Sequence, residues 1–156
     1  MRLTDRFRGA WLAVLAAALD RLTKRLAVNA SAGPLIPGLI NLRPMVNRGM
    51  AFSMLSGQGA LLTGLTLLLV LALTAWLIAK PGQPRLFRAG LWLIVGGGLG
   101  NLWDRLASGA VIDFIEPAFV RFAVFNGADA CICVGAALAM LSAILEETEK
   151  KHGAKP

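Results

Sequence analysis

Twenty consecutive residues, Ala60 to Ala79 (ALLTGLTLLLVLALTAWLIA), contain no charged side chain. Coiled as a helix they reach about 30 Å, the thickness of a bilayer's hydrocarbon core. A rod that is apolar on every face must be surrounded by apolar matter, and a chain of 156 residues has too little core to do this. The run therefore predicts a membrane span. Phe87 to Trp103 and Gly127 to Leu145 are shorter and Gly-rich, with Arg88 near one end and Asp129 near the other as their only charges. They predict two further spans, in keeping with a hydrophobic content of 56%.

The N-terminal region admits two readings. Arg2, Arg6 and Arg8, then Gly9 to Leu19 with the small run Ala16-Ala17-Ala18, imitate a cleaved secretory signal. The competing reading extends one helix from Trp11 to Val28. Asp20 and Lys24 then fall four apart on one face and neutralise each other near the membrane edge. Cleavage leaves three spans and retention four. The expectation carried forward is an all-α membrane protein with one domain and four transmembrane helices, at roughly 11–28, 60–79, 87–103 and 127–145. Its external loops would include a small β-element and a short surface helix.

With four spans both termini share a side. Arg2, Arg6, Arg8, Lys80, Arg85, Arg88, Lys150, Lys151 and Lys155 would then be cytoplasmic, nine of the sixteen Lys and Arg, a weak positive-inside bias. Asp20, Asp104, Asp113, Glu116 and Asp129 map to the opposite, external side. The net charge of +7 is thus spread along membrane-flanking positions. Membrane lipids, not nucleic acid, are the expected partners.

Between the spans, Lys80 to Pro84 (KPGQP) reads as a tight turn. Asn29 to Gly59 is long, and its Leu39-Ile40-Asn41-Leu42-Arg43 alternates as a short surface strand does. Leu106 to Asn126 carries apolar patches interrupted by Pro117. In the third span Gly96 and Gly100 lie one turn apart, a spacing that permits close helix approach. Cys131 and Cys133 point in different directions from an apolar helix and read as packing residues. The lone His152 lies in a charged tail, so no metal cluster or redox pair is expected.

Polar groups converge on the external side. Asn101, Asp104 and Arg105 close the third span, Asp113 follows within VIDFI, and Asp129 opens the fourth. Most have a bland account. Asn126-x-x-Asp129 has the form of a helix start, with Asn126 as N-cap and a carboxylate meeting free N–H groups. Asp104 and Asp20 have basic neighbours to pair with. Asp113 is harder to dismiss, because it interrupts an apolar run with no basic residue within seven positions on either side. Two carboxyls in a partly dry site do not both ionise easily, so one keeps its proton while the other acts as base on a water. This chemistry needs no metal or cofactor. Ser and Cys nucleophiles lack a His outside the tail, and no nucleotide-binding fingerprint occurs. A proton-relaying transporter subunit is the rival, but the carboxylates cluster at one face and the second span has none.

Five motifs in order, Asp20-Arg21-Leu22-Thr23-Lys24, Asn47-Arg48-Gly49-Met50-Ala51-Phe52-Ser53, Gly100-Asn101-Leu102-Trp103-Asp104-Arg105, Gly109-Ala110-Val111-Ile112-Asp113-Phe114 and Phe125-Asn126-Gly127-Ala128-Asp129, resemble those of lipoprotein signal peptidase (signal peptidase II). The resemblance covers roughly Leu19 to Leu145. It implies a four-span bacterial inner-membrane aspartyl endopeptidase, both termini cytoplasmic and its site near the external face. Such an enzyme removes the signal peptide of prolipoproteins just before the diacylglyceryl-modified cysteine. The expected partners are lipid-modified precursors, and the expected state is a monomer without cofactor. The resemblance assigns catalysis to Asp113 and Asp129, and substrate or dyad support to Asn47, Asn101, Arg105 and Asn126. Asp20, Lys24 and Asp104 fall to architecture. Arg21 stands where the family commonly has Gln, which leaves the contacts of the first span open. The two external segments would shelter the site and act as a lid.

Overall fold

A computed structural model describes residues 3–49 and 57–153. Met50–Ser53 of the second motif, the terminal Arg2 and Lys155, and the His152 side chain lie outside the described residues. The elements are α1 (Leu3–Arg6), α2 (Ala10–Val28), β1 (Gly33–Ile36), β2 (Ile40–Asn47), α3 (Gly59–Ala79), α4 (Arg85–Ser108), β3 (Val111–Pro117) and α5 (Gly127–Gly153). The four long helices cover the four expected spans.

The helices are turned inside out relative to a soluble bundle. Along α2 the buried residues are Ala13, Ala16, Asp20, Lys24 and Ala27, a stripe at three- and four-residue spacing that is small or charged. Trp11, Val14, Leu15, Leu19, Leu22 and Leu26 of the same helix are exposed, as is most of the leucine of α3. Apolar groups outward and polar groups inward is the order that lipid imposes. By length and apolar content, α3 and α5 each suffice to cross a bilayer. The lower apolar content of α2 and α4 has a physical cause, since Asp20, Lys24, Arg88, Asn101 and Asp104 all face the interior.

α4 is the central helix and packs against α2, α3 and α5. Its small residues permit this. A Cβ on Gly96 would lie 2.6 Å from the Ala13 carbonyl oxygen of α2, and one on Gly100 would lie 2.5 Å from Asp20 Oδ2. The expected close approach of helices is therefore present, and at Gly100 it admits a carboxylate. At the far end of α4 the Arg88 guanidinium, 2% exposed, accepts no water-facing role. It donates to the carbonyls of Leu77 and Lys80 that close α3, and to those of Arg6 and Arg8 before α2. The last carbonyls of a helix lack internal partners, and Arg88 supplies them.

The small β-element expected in the external segments is a three-stranded sheet. β1, β2 and β3 form an antiparallel sheet in that order. The expected strand at Leu39–Arg43 exists but runs from Ile40 to Asn47, with an irregularity between Leu42 and Met45 around Pro44. Leu106 to Asn126 is not a plain loop. It begins with the last turn of α4, which ends at Gly109 in a left-handed conformation (φ 73°) that suits glycine, and continues as β3. Among the described residues the external connections hold no surface helix; the short helix is α1, at the N-terminal end.

Candidate active site

Each polar motif is delivered by a different element. β2 ends on Asn47, and its register against β3 sets Met45 opposite Asp113 and Asn47 opposite Val111. β3 is also tied to the segment before α5. The N–H groups of Phe114 and Ile115 donate to the Phe125 carbonyl at 3.0 and 2.8 Å, and Phe125 N–H returns to Ile115 at 3.1 Å. Asn126 is thereby held beside Asp113. α5 then starts with a reciprocal cap: Asp129 N–H donates to Asn126 Oδ1 at 2.9 Å, and Asn126 N–H donates to Asp129 Oδ2 at 3.3 Å. This is the helix start expected from the sequence.

Amide groups then link the two carboxylates. Asn47 Nδ2 donates to Asp113 Oδ2 at 2.8 Å, and Asn126 Nδ2 donates to Asp113 Oδ1 at 2.7 Å and to Asn101 Oδ1 at 3.1 Å. Asn101 Nδ2 donates to Asp129 Oδ1 at 2.8 Å. Asp113 is 2% exposed and Asn126 fully buried. Burial pushes the Asp113 carboxyl above the usual carboxylate range, and the Asp129 charge adds to this. The bonds from Asn47 and Asn126 and the Lys24 charge favour the anion without overcoming burial.

The residues assigned to architecture form a second layer. Lys24 Nζ lies 2.7 Å from Asp20 Oδ2, 2.8 Å from Asp104 Oδ2 and 3.0 Å from Asn101 Oδ1. Asp20 Oδ1 accepts the Ala128 N–H at 2.8 Å, so α2 caps the first turn of α5. Asp104 also takes Arg21 Nη1 at 3.0 Å and the Ile112 N–H at 3.3 Å. The Arg21 guanidinium lies 5.8 Å from the centre of the Trp103 ring, which answers the question raised by Arg at this position. Asp104 and Arg105, three and four positions after Asn101 on α4, part company. Asp104 turns to α2, whereas Arg105 turns to the site, where its Nη2 reaches the Gly49 carbonyl at 3.4 Å.

The site opens into a cavity of about 530 Å³. Asn47, Asn101, Arg105, Asp113 and Asp129 form one part of its wall; Leu69 and Leu73 of α3, Ile94 of α4 and Ile132 of α5 form an apolar part. Cys133, read as a packing residue, lines this cavity instead, while Cys131 is half-buried; both are free thiols. Sequence reasoning missed the Lys24 bond to Asn101 and the Asp20 cap on α5. Their signal was present in the small stripe Ala13, Ala16 and Ala27, which marks the inward face of α2 on which both charges lie.

A polar site sunk at one end of an inside-out helical bundle, open to an apolar cavity, defines a membrane enzyme class. The chain belongs to the signal peptidase II family: the family described as Signal peptidase (SPase) II matches residues 12–145. It is 37% identical over 140 residues to the lipoprotein signal peptidase of Thermosynechococcus vestitus, covering 85% of this chain and 89% of the relative. Identity to the lipoprotein signal peptidase of Pseudoalteromonas translucida is 36% over 156 residues, covering 92% of each. A solved structure described as a bacterial membrane enzyme matches with a TM-score of 0.82 at 27% identity, covering 92% of this chain and 90% of that one. The family makes the chain a membrane peptidase.

Proposed function

We propose that the protein is an aspartyl endopeptidase that removes the signal peptide from diacylglyceryl-modified prolipoproteins, cutting just before the lipid-modified cysteine. One observation carries the reading: Asp113 and Asp129 face one cavity and are bonded into one amide network through Asn126 and Asn101. Asp113, whose protonated form burial favours, donates a hydrogen bond and, as the water attacks, its proton to the scissile carbonyl oxygen. Asp129 takes a proton from the water that attacks the carbonyl carbon. When the amine leaves, the roles exchange: Asp129 protonates the nitrogen and Asp113 recovers its proton. Asn47, Asn101 and Asn126 hold the carboxylates, and Arg105 orients the substrate from the cavity wall. All these residues come from one chain, which supports a monomer as the working unit.

The four long helices are four membrane spans in a bacterial inner membrane, both termini cytoplasmic and the dyad near the external face. A lipidated precursor stays in the membrane, so the apolar part of the cavity meets its scissile bond at that depth. The test is cleavage by the purified full chain of a lipidated and an unlipidated precursor. Asp113→Asn and Asp129→Asn should each abolish cleavage while the helical circular dichroism is kept. Full activity of either variant, or equal cleavage without the lipid, refutes the reading.

A further inference from the structure

Lys24 Nζ lies within 3.0 Å of an oxygen of each of Asp20, Asp104 and Asn101, and its side chain is 1% exposed. It does not line the cavity. The charge balance of the cluster is already met elsewhere in part, because Asp104 also has Arg21. The contact that neutrality does not require is the one to the Asn101 amide.

That contact decides which way the amide faces. Asn101 Oδ1 meets two donors, Lys24 Nζ at 3.0 Å and Asn126 Nδ2 at 3.1 Å, and Nδ2 is left for the Asp129 carboxylate at 2.8 Å. Turned over, Asn101 would set its NH2 against an ammonium and a second NH2, and its carbonyl against a carboxylate. All three contacts would become repulsive. A lysine, which only donates, admits one orientation; a neutral apolar residue in its place would leave the amide held only by Asn126 and by Asp129, the group it has to aim.

Building on the dyad reading above, we propose that Lys24 is a positioning residue for the reaction: it acts through Asn101, whose amide it locks so that Nδ2 donates to Asp129. It touches neither substrate nor the reacting atoms. Its loss frees Asn101 to turn, and Asp129 loses the donor that aims it.

The test is a double-mutant cycle on the purified full chain with a lipidated precursor, measuring kcat and KM for Lys24→Met, Asn101→Ala and the double variant. Each single change should lower kcat by about ten- to a hundredfold with KM within about twofold, as expected for misplaced catalytic groups. The double variant should match Asn101→Ala within about twofold, since both remove the same aim. Multiplied effects would overturn the proposal, as would a Lys24→Met enzyme with normal kcat or with a changed KM alone. A lysine that only holds helices together gives multiplied effects. Should Lys24→Met fail to fold, the cycle is run on Lys24→Met/Asp20→Asn, which leaves no unpaired buried carboxylate because Asp104 keeps Arg21, and in which the Ala128 N–H keeps an acceptor; the same pattern is expected and the same outcomes refute it. Activity in Asp113→Asn would overturn the dyad and this inference together, whereas a dead Asp113→Asn with a multiplicative cycle overturns this inference alone.

Discussion

Gly100→Ala tests whether helix packing and the site are one structure. The added Cβ would lie 2.5 Å from Asp20 Oδ2, 3.1 Å from its Cγ and 3.4 Å from Ala128 Cβ. The carboxylate has nowhere to retreat, because Oδ1 is held by the Ala128 N–H and Oδ2 by Lys24. α4 must therefore back away from α2 and α5, or Asp20 must give up its bonds. Overpacking of this kind costs about 1–3 kcal/mol, and a lost charge-assisted bond to Ala128 adds about 1.5–3 kcal/mol. Opposing this is the helix propensity gained by replacing glycine, about 1 kcal/mol. The net expectation is a loss of about 1.5–5 kcal/mol, with kcat lowered because the first turn of α5 carries Asp129. Gly64→Ala is the internal control. A Cβ there meets nothing within 4 Å, so only the propensity term operates and the variant should be more stable with unchanged activity. Thermal unfolding in detergent and cleavage kinetics read both. A Gly100→Ala protein as stable and active as the parent would refute the packing account.

Asn47→Ala removes a donor that favours the Asp113 anion, so Asp113 should hold its proton to higher pH. If protonated Asp113 is the acid, activity is lost as pH rises through its pKa, and the alkaline limb of the kcat/KM profile should move upward; a downward move reverses the assignment. Asn126→Ala removes bonds to Asp113, Asn101 and the α5 cap at once, and its kcat should fall about a hundredfold or more, measured on the same precursor. Arg88→Met orphans buried carbonyls far from the dyad, and should lower stability by about 2–4 kcal/mol while the kcat of the folded enzyme, read below its unfolding temperature, stays unchanged.

Local features were legible in the sequence, and contacts between distant segments were not. Asn126-x-x-Asp129 foretold its cap because both partners lie within one turn. The long helices were readable because their apolar runs mark their extent, although α4 overran its expected end by five residues, to Ser108. β3 was missed as a strand. Val111-Ile112-Asp113-Phe114-Ile115 lacks an alternating pattern, and its conformation follows from pairing with β2 more than sixty positions earlier. The basic partners expected for Asp104 could not be named for a related reason. Helical spacing places it beside Asn101, but only the arrival of α2 settles that it pairs with Arg21 and Lys24.

The division of labour between amides and charges follows from the cost of burial. A cation directly against each carboxylate would favour both anions and remove the proton that the proposed chemistry needs. Neutral amide donors orient a carboxylate while perturbing it less. All four carboxylate oxygens accept one N–H each: Asp113 from Asn126 and Asn47, Asp129 from Asn101 and the Asn126 backbone. The charges stand one step back. Lys24 and Arg21 balance Asp20 and Asp104, and this cluster reaches the dyad through Asn101. Asp20 and Asp129 thus have opposite demands on the same fold. The first stands in an ion pair with lysine; in the proposed chemistry the second gains and loses a proton in each turnover, and the amide between them keeps those two environments apart.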